Sequence, residues 1–191
     1  MKTVAKAIFL AFLLALVPAA FAQHETFTVN PDSSHVAFAL TGSHHVEGTF
    51  HVQSGSITFD RSAPAMSGTV VVAAGSGNSG EASRDKKMST DVLEATRFAE
   101  VSFVPTSYQG TIAPSGDSTI QVTGVFTIHG APHDLTVPMQ IHMDGANLTA
   151  KGQFTVPYVK WGLKDPSIFI LKVAKEVGID LTLVGTVAQS N

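Results

Sequence analysis

The chain of 191 residues contains no cysteine and only a small share of charged side chains. The absence of cysteine excludes disulfide bonds, thiolate metal sites and thiolate catalysis. Charged residues make up 14% of the chain, which is well below the roughly one quarter that is typical of globular domains. A chain with so little charge has apolar residues to spare, and this indicates a larger apolar interior than a simple core requires.

Long hydrophobic runs are also scarce, and the longest one has the features of a secretory signal peptide. Residues 1–6 include two lysines and no acid, and residues 7–17 form an unbroken apolar run that is too short to cross a bilayer as a helix. Ala20 and Ala22 then place small residues where a signal peptidase reads the chain. We expect residues 1–22 to be removed and residues 23–191 to form one domain; an N-terminal anchor that stays attached is the alternative.

Basic runs are absent from the rest of the chain. Residues 1–22 hold two of the twelve Lys and Arg residues and no acid, so the mature chain has ten basic against fifteen acidic residues, a formal charge of −5. A mildly acidic surface without basic runs argues against binding to nucleic acid and to anionic membranes. We therefore expect no nucleic-acid partner and no stable membrane insertion after signal removal.

The signal peptide leads to a first prediction: the exported protein should begin at Gln23, because the small residues of the cleavage site end at Ala22. The intact mass of the exported form checks this. A mass that still includes residues 1–22 would contradict it and would favour the retained anchor.

Most of the mature chain alternates apolar and polar residues with a period of two, which is typical of strands with one buried face. The alternating segments are 34–41, 55–60, 68–73, 101–103, 120–122, 125–128, 134–143, 148–151, 153–156 and 177–183. Turn residues such as Pro, Gly, Asn and Asp separate them. Some eight to ten short antiparallel strands predict an all-β domain that is either a sandwich or a closed barrel, and the pattern alone does not choose between the two.

Residues 79–98 break the alternation. Met88, Val92 and Ala95 fall at helical spacing, and Asp91 with Glu94 three residues later resembles a capping pair for a short helix. We predict one or two short helices in this connection, crossing an end of the sheet.

Four stretches resemble motifs of the YceI-like family, in the order in which that family has them. Residues 122–138 look like its Val-Thr-Gly hairpin with a Thr-Ile-His-Gly turn, and residues 76–88 resemble its connection with an Arg-Asp pair. Residues 32–38 resemble its opening strand, with one residue fewer, and residues 161–167 with 176–179 match a variant of its ending. The similarity covers residues 26–187.

The resemblance implies an extended, antiparallel, lipocalin-like β-barrel that is periplasmic or secreted. It also implies a cavity for an isoprenoid chain, such as a polyprenyl alcohol or phosphate or a quinone tail. This chain has Lys87-Met88 where many members have His-Leu. The difference bears on which head group is recognised at that end of the barrel, and it leaves the expected fold unchanged.

Alternation and resemblance together assign a set of inward-facing residues to the wall that would contact such a ligand. These are Val36, Phe38, Leu40, Phe59, Val70, Val72, Phe103, Val122, Phe126, Ile128, Met139, Ile141, Phe154, Ile179, Leu181 and Leu183. Arg84, Asp85 and Trp161 are candidates for contacts at the rim or with a head group. Arg84 and Asp85 have an alternative role, since such a pair commonly tethers a helix by charge-assisted hydrogen bonds.

Eight histidines raise the question of a metal site or an enzyme. The tightest groups are His44 and His45 with His51, and His129 with His133. An open zinc site needs three convergent ligands, and no spacing typical of one is present; nor does a Gly-x-Ser-x-Gly motif mark a nucleophile. We therefore assign no catalytic residue, no metal ligand and no cofactor.

Three hypotheses follow. The first is an exported carrier for a long apolar isoprenoid-type lipid or quinone tail held inside the barrel, without catalytic residues. The second is a barrel with a filled core that acts through its surface, as an interaction or stress-response protein. The third is an enzyme or metal protein that uses the histidines. The oligomeric state, monomer or dimer, stays open.

Overall fold

The computed structural model describes residues 24–41, 45–168 and 172–189. The predicted signal peptide and the start at Gln23 lie outside these residues. The described strands are β1 (His24–Val29), β2 (His35–Leu40), β3 (Val46–Asp60), β4 (Ala63–Ala73), β5 (Glu100–Gly110), β6 (Gly116–Ile128), β7 (Ala131–Asp144), β8 (Asn147–Val156) and β9 (Val177–Gln189).

The strands form one antiparallel sheet that closes on itself. Neighbours follow the order β3, β2, β9, β8, β7, β6, β5, β4, and β4 then pairs with β3 to complete the ring. This closed ring of eight strands confirms the predicted all-β, lipocalin-like barrel and excludes the sandwich. Closure matters because an open sheet of this length would leave two edges of unpaired backbone groups.

β1 and β2 share one place in the ring, between β3 and β9. β1 pairs with one half of each neighbour and β2 pairs with the other half. A short 3-10 turn at Pro31–Ser33 separates the two strands. At this break the buried Ser34 hydroxyl accepts the Val184 N–H at 2.9 Å and donates to the Asn30 carbonyl at 2.7 Å. The side chain thus replaces backbone pairing where the strand is interrupted.

The two ends of the barrel differ. Strands β2, β4, β6 and β8 finish at one end of the barrel, which we call the helical end. Short connections after β3, β5 and β7 lie at the other end with His24 and Gln189, and we call this the turn end. Because all neighbouring strands are antiparallel, these assignments follow directly from the strand order.

The connection from β4 to β5 contains a helix, α1 (Ala82–Lys87), that continues into a π-helical turn at Met88–Val92. The prediction of one or two short helices between residues 79 and 98 is confirmed. No helix within the described residues has the length and apolar character needed to span a membrane.

The predicted capping pair of Asp91 and Glu94 is wrong. Asp91 lies inside the π-helical turn, where its carboxylate accepts the Thr90 hydroxyl at 2.8 Å. Glu94 has a φ of 46°, so it lies beyond the helix rather than in its first turn. Glu81 caps α1 instead, since its side chain accepts the backbone N–H groups of the first turn.

β3 begins at Val46, well before the start predicted at residue 55. A bulge between Val52 and Ser54 moves the inward positions of β3 from even-numbered to odd-numbered residues. Before that bulge, Gly48 occupies an inward position and so interrupts the apolar alternation. It pairs directly with Phe38 of β2, and a Cβ at residue 48 would overlap both the Phe38 ring and the Asn78 carbonyl. The aromatic ring therefore covers the backbone where a side chain is missing.

The close approach at Gly48 predicts that Gly48→Ala lowers the free energy of unfolding by about 1–3 kcal/mol, the usual cost of overpacking. Gly178→Ala is the matched control: it lies on β9, the other neighbour of β2, and its Cβ would meet only the Ala39 carbonyl, at 3.7 Å. This control should change stability by less than about 0.5 kcal/mol. Urea unfolding measures both, and equal effects would contradict the account.

Candidate functional site

The barrel encloses a cavity of about 550 Å³. Protein interiors normally contain few voids larger than a water molecule, so the inward side chains line this space without filling it. The interior therefore differs from the filled core that the second hypothesis requires. The wall is almost entirely aliphatic and aromatic.

All sixteen inward residues chosen from the sequence lie on the cavity wall. They are Val36, Phe38, Leu40, Phe59, Val70, Val72, Phe103, Val122, Phe126, Ile128, Met139, Ile141, Phe154, Ile179, Leu181 and Leu183. Alternation succeeds because the strands pair in regular register across most of the barrel. The contact of these residues with a ligand remains a prediction.

Other wall residues were not chosen from the sequence. Some lie on strands and follow the same apolar–polar alternation, so the sequence pattern could have identified them. These are Phe27, Phe50, Ile57, Ile120, Leu135, Val137, Leu148 and Ala150. Others come from connections, where no period of two exists: Met88, Val92, Leu93, Ile112 and Leu163. The connections thus supply the two ends of the cavity.

The cavity reaches the surface at the helical end. Polar residues of one segment lie on the wall there: Ser79, Glu81, Ser83, Arg84 and Lys87. Four of these five residues are exposed to solvent, and they lie between Glu81 and Lys87. At the turn end, by contrast, the wall residues such as Phe27, Phe59 and Ile112 are buried. The cavity is therefore apolar along its depth and polar at one mouth.

Arg84 and Asp85 both bind Ser79. Arg84 donates from Nε to the Ser79 hydroxyl at 2.7 Å and from a guanidinium nitrogen to the Ser79 carbonyl at 3.0 Å. Asp85 accepts the Ser79 N–H at 2.9 Å and the Ser79 hydroxyl. The adjacent Asn78 pairs through its backbone with Thr49 of β3. The pair thus ties α1 to the barrel; Arg84 also lies on the cavity wall, whereas Asp85 does not.

Glu81 carries negative charge at the same mouth. Its carboxylate accepts the Ser83 hydroxyl and the backbone N–H groups of Ser83 and Arg84. Hydrogen bonding, first from the Ser83 hydroxyl, holds the pKa of Glu81 below its usual value. The mouth therefore presents both signs of charge, with Arg84 and Lys87 opposite in sign to Glu81.

Trp161 does not line the cavity. It lies in the connection from β8 to β9, where its ring stacks on His133 with centroids 4.0 Å apart and lies 5.8 Å from the Phe126 ring. It covers the barrel wall from the helical end. The ring contacts of Trp161 are with protein side chains, and a contact with a head group remains a prediction.

Tyr158 fixes the same connection over the mouth. Its hydroxyl donates to the Ala174 carbonyl at 2.6 Å, and its ring is buried on the cavity wall. Burial, assisted by the nearby Asp165 carboxylate, raises the pKa of Tyr158 to about 12. The hydroxyl is therefore neutral at physiological pH. Lys164 of this connection lies 3.7 Å from Asp91, which links it to the helical connection after β4.

The histidines do not converge within the described residues, and no group of three His, Cys, Asp or Glu side chains there could hold a metal. His45 pairs with Glu47 at 2.6 Å, His129 lies 3.2 Å from Glu94, and His133 stacks on Trp161. His44 lies outside the described residues.

With this geometry established, comparison with known proteins identifies the relatives of the chain. The family model for the YceI-like domain matches residues 27–185. The chain belongs to the YceI-like family. A UPF0312 protein of Pseudomonas fluorescens (strain SBW25) is 28% identical over 190 residues, which cover 92% of this chain and 94% of that protein. A UPF0312 protein of Shewanella sp. (strain MR-7) is 29% identical over 182 residues, covering 91% of each chain.

Solved structures share the fold. BcnA of Burkholderia cenocepacia is 25% identical, with a TM-score of 0.67, over 83% of this chain and 99% of that one. A polyisoprenoid binding domain from Saccharophagus degradans, described as implicated in plant cell wall breakdown, has a TM-score of 0.68 at 14% identity, over 85% of this chain and 98% of that one. At this identity the second similarity shows the fold alone.

Proposed function

We propose that this YceI-like protein binds a long apolar molecule of the isoprenoid class in its barrel. A polyprenyl alcohol, a polyprenyl phosphate or a quinone tail would fit this description. The apolar cavity of about 550 Å³ is the observation that carries the proposal. A binding role needs no catalytic residue, and we assign none.

An empty cavity of this size would be costly. Residual cavities in protein cores lower stability by roughly 24 cal/mol per Å³, so a void of this size would forgo stability on the order of 10 kcal/mol. A protein that acts only through its surface gains nothing from such a void. An apolar occupant recovers the missing contacts, and this favours the carrier over the surface-interaction hypothesis.

The energy of binding is sufficient without a polar anchor. Burying about 500–700 Å² of isoprenoid surface gives on the order of 12–17 kcal/mol before losses. Immobilising the chain removes half of this or more. The remainder, at most about 6–8 kcal/mol, corresponds to a dissociation constant of about one micromolar to tens of micromolar, so chain length and shape should dominate specificity.

The ligand should lie with its polar head at the helical end. Among the residues that the structure describes, polar side chains gather on the cavity wall at that end, from Ser79 to Lys87. The description of the Saccharophagus degradans domain as polyisoprenoid binding supports the choice of chain. The N-terminal signal pattern supports export, so we propose a periplasmic or secreted carrier.

A blocking substitution tests the proposal. Ala150 is buried on the cavity wall of β8, opposite Ile141 and Leu183. Ala150→Phe should place a ring in the space meant for the chain and lower the affinity for a tritiated polyprenol at least about tenfold, equivalent to about 1.4 kcal/mol. Stability should change by less than the roughly 1–3 kcal/mol of an overpacked core, because the ring enters empty space.

Lys151→Phe is the matched control, since residue 151 is the exposed neighbour on the same strand. It should bind as the wild-type protein does. Unfolding by urea separates lost binding from lost folding. Equal polyprenol affinity in the folded Ala150→Phe variant and the wild type would contradict a ligand in this cavity.

A further inference from the structure

At the turn end, a residue that belongs to no strand lies on the cavity wall. Ile112 lies in the short connection between β5 and β6, is 4% exposed and stands on the cavity wall. The position of its side chain depends on how this connection is held, because no strand pairing fixes it.

Arg61 holds that connection. One guanidinium nitrogen donates to the Ile112 carbonyl at 3.2 Å and to the Ala113 carbonyl at 2.5 Å. The Ala113 N–H in turn donates to the Ser118 hydroxyl at 2.9 Å. The peptide that joins Ile112 to Ala113 is thus held through its carbonyl and its N–H, so the chain that follows Ile112 has little freedom to move away from the barrel.

Arg61 is itself held by a buried partner. Its Nε and a terminal nitrogen donate to the two Glu25 oxygens at 2.9 and 2.7 Å. Gln189 donates to the same carboxylate at 3.1 Å, and the guanidinium lies 5.9 Å from the Phe59 ring centre. The Glu25 side chain is only 8% exposed. A planar guanidinium can make this two-pronged contact and still reach the carbonyls, whereas a lysine cannot.

We propose that Ile112 sets the greatest chain length that the cavity accepts, and that Arg61 is its positioning residue. The proposal rests on the proposed function, because it assumes an isoprenoid chain with its head at the helical end. The tail must then run toward the turn end and stop at Ile112. Neither residue belongs to the alternating pattern of the barrel wall.

The proposal makes a specific statement about affinity. Each added methylene that enters the apolar cavity raises affinity by about fourfold, so affinity grows with chain length while the tail still has room. It stops growing once the tail meets Ile112. A smaller residue at position 112 should move this plateau to longer chains, and a larger one should move it to shorter chains.

The experiment measures binding of an all-trans polyprenol series, from farnesol to solanesol, by the full exported chain. Ile112→Ala should move the plateau by at least one isoprene unit toward longer chains, and Ile112→Phe by at least one unit toward shorter chains. Ile112→Val serves if the alanine variant fails to fold, with a smaller shift in the same direction. Arg61→Lys should admit longer chains than the wild type, since the carbonyl contacts are lost.

Leu163→Ala is the matched control. Leu163 is also 4% exposed, lines the cavity and comes from a connection, but at the helical end. It should weaken all chain lengths by a similar factor and leave the plateau in place. An unmoved plateau in both folded Ile112 variants would overturn the proposal while leaving the proposed function intact. Failure of the wild type to bind any polyprenol would remove the proposed function, and this inference with it.

Discussion

Backbone pairing between β3 and β4 is the constraint on which the rest of the structure depends. Residues 52–60 of β3 pair with residues 63–72 of β4 and so join the two ends of the sheet. Once the sheet is closed, every inward side chain faces the same enclosed volume. A ring of eight strands is wide enough to hold one small ligand inside, and here the inward side chains leave that space open.

The two ends of the barrel differ in polarity, and this difference favours one orientation of an amphiphilic ligand. At the helical end, residues 79–87 place charged and hydroxyl groups beside the opening. At the turn end, the buried Glu25 pairs with the partly exposed Arg61, and the cavity wall is apolar. A charged head group at the turn end would displace existing ionic contacts, whereas at the helical end it would meet solvent. An amphiphile therefore has one favourable orientation.

Much of the barrel could be predicted from the sequence, because a period of two reports directly which side chains face inward. The wall positions on β6 and β7, such as Phe126 and Met139, are examples. β1 was not predicted, because its alternating segment is short. The strand fills only half of a place in the ring and β2 fills the other half. The role of Ile112 could not be predicted, because it depends on a contact with Arg61, which is 51 residues away. The prediction of Asp91 and Glu94 as a capping pair was wrong, because the spacing of two acidic residues does not distinguish a helix start from a π-helical turn.

Native mass spectrometry of the protein, purified from its own host without lipid extraction, tests the central claim most directly. The account predicts a bound species, released by organic solvent, whose mass and fragmentation are those of an isoprenoid chain. The same protein, once emptied, should take up an added polyprenol and regain the bound mass. Protein that is purified from its host without a bound ligand, and that takes up no polyprenol afterwards, would contradict the account.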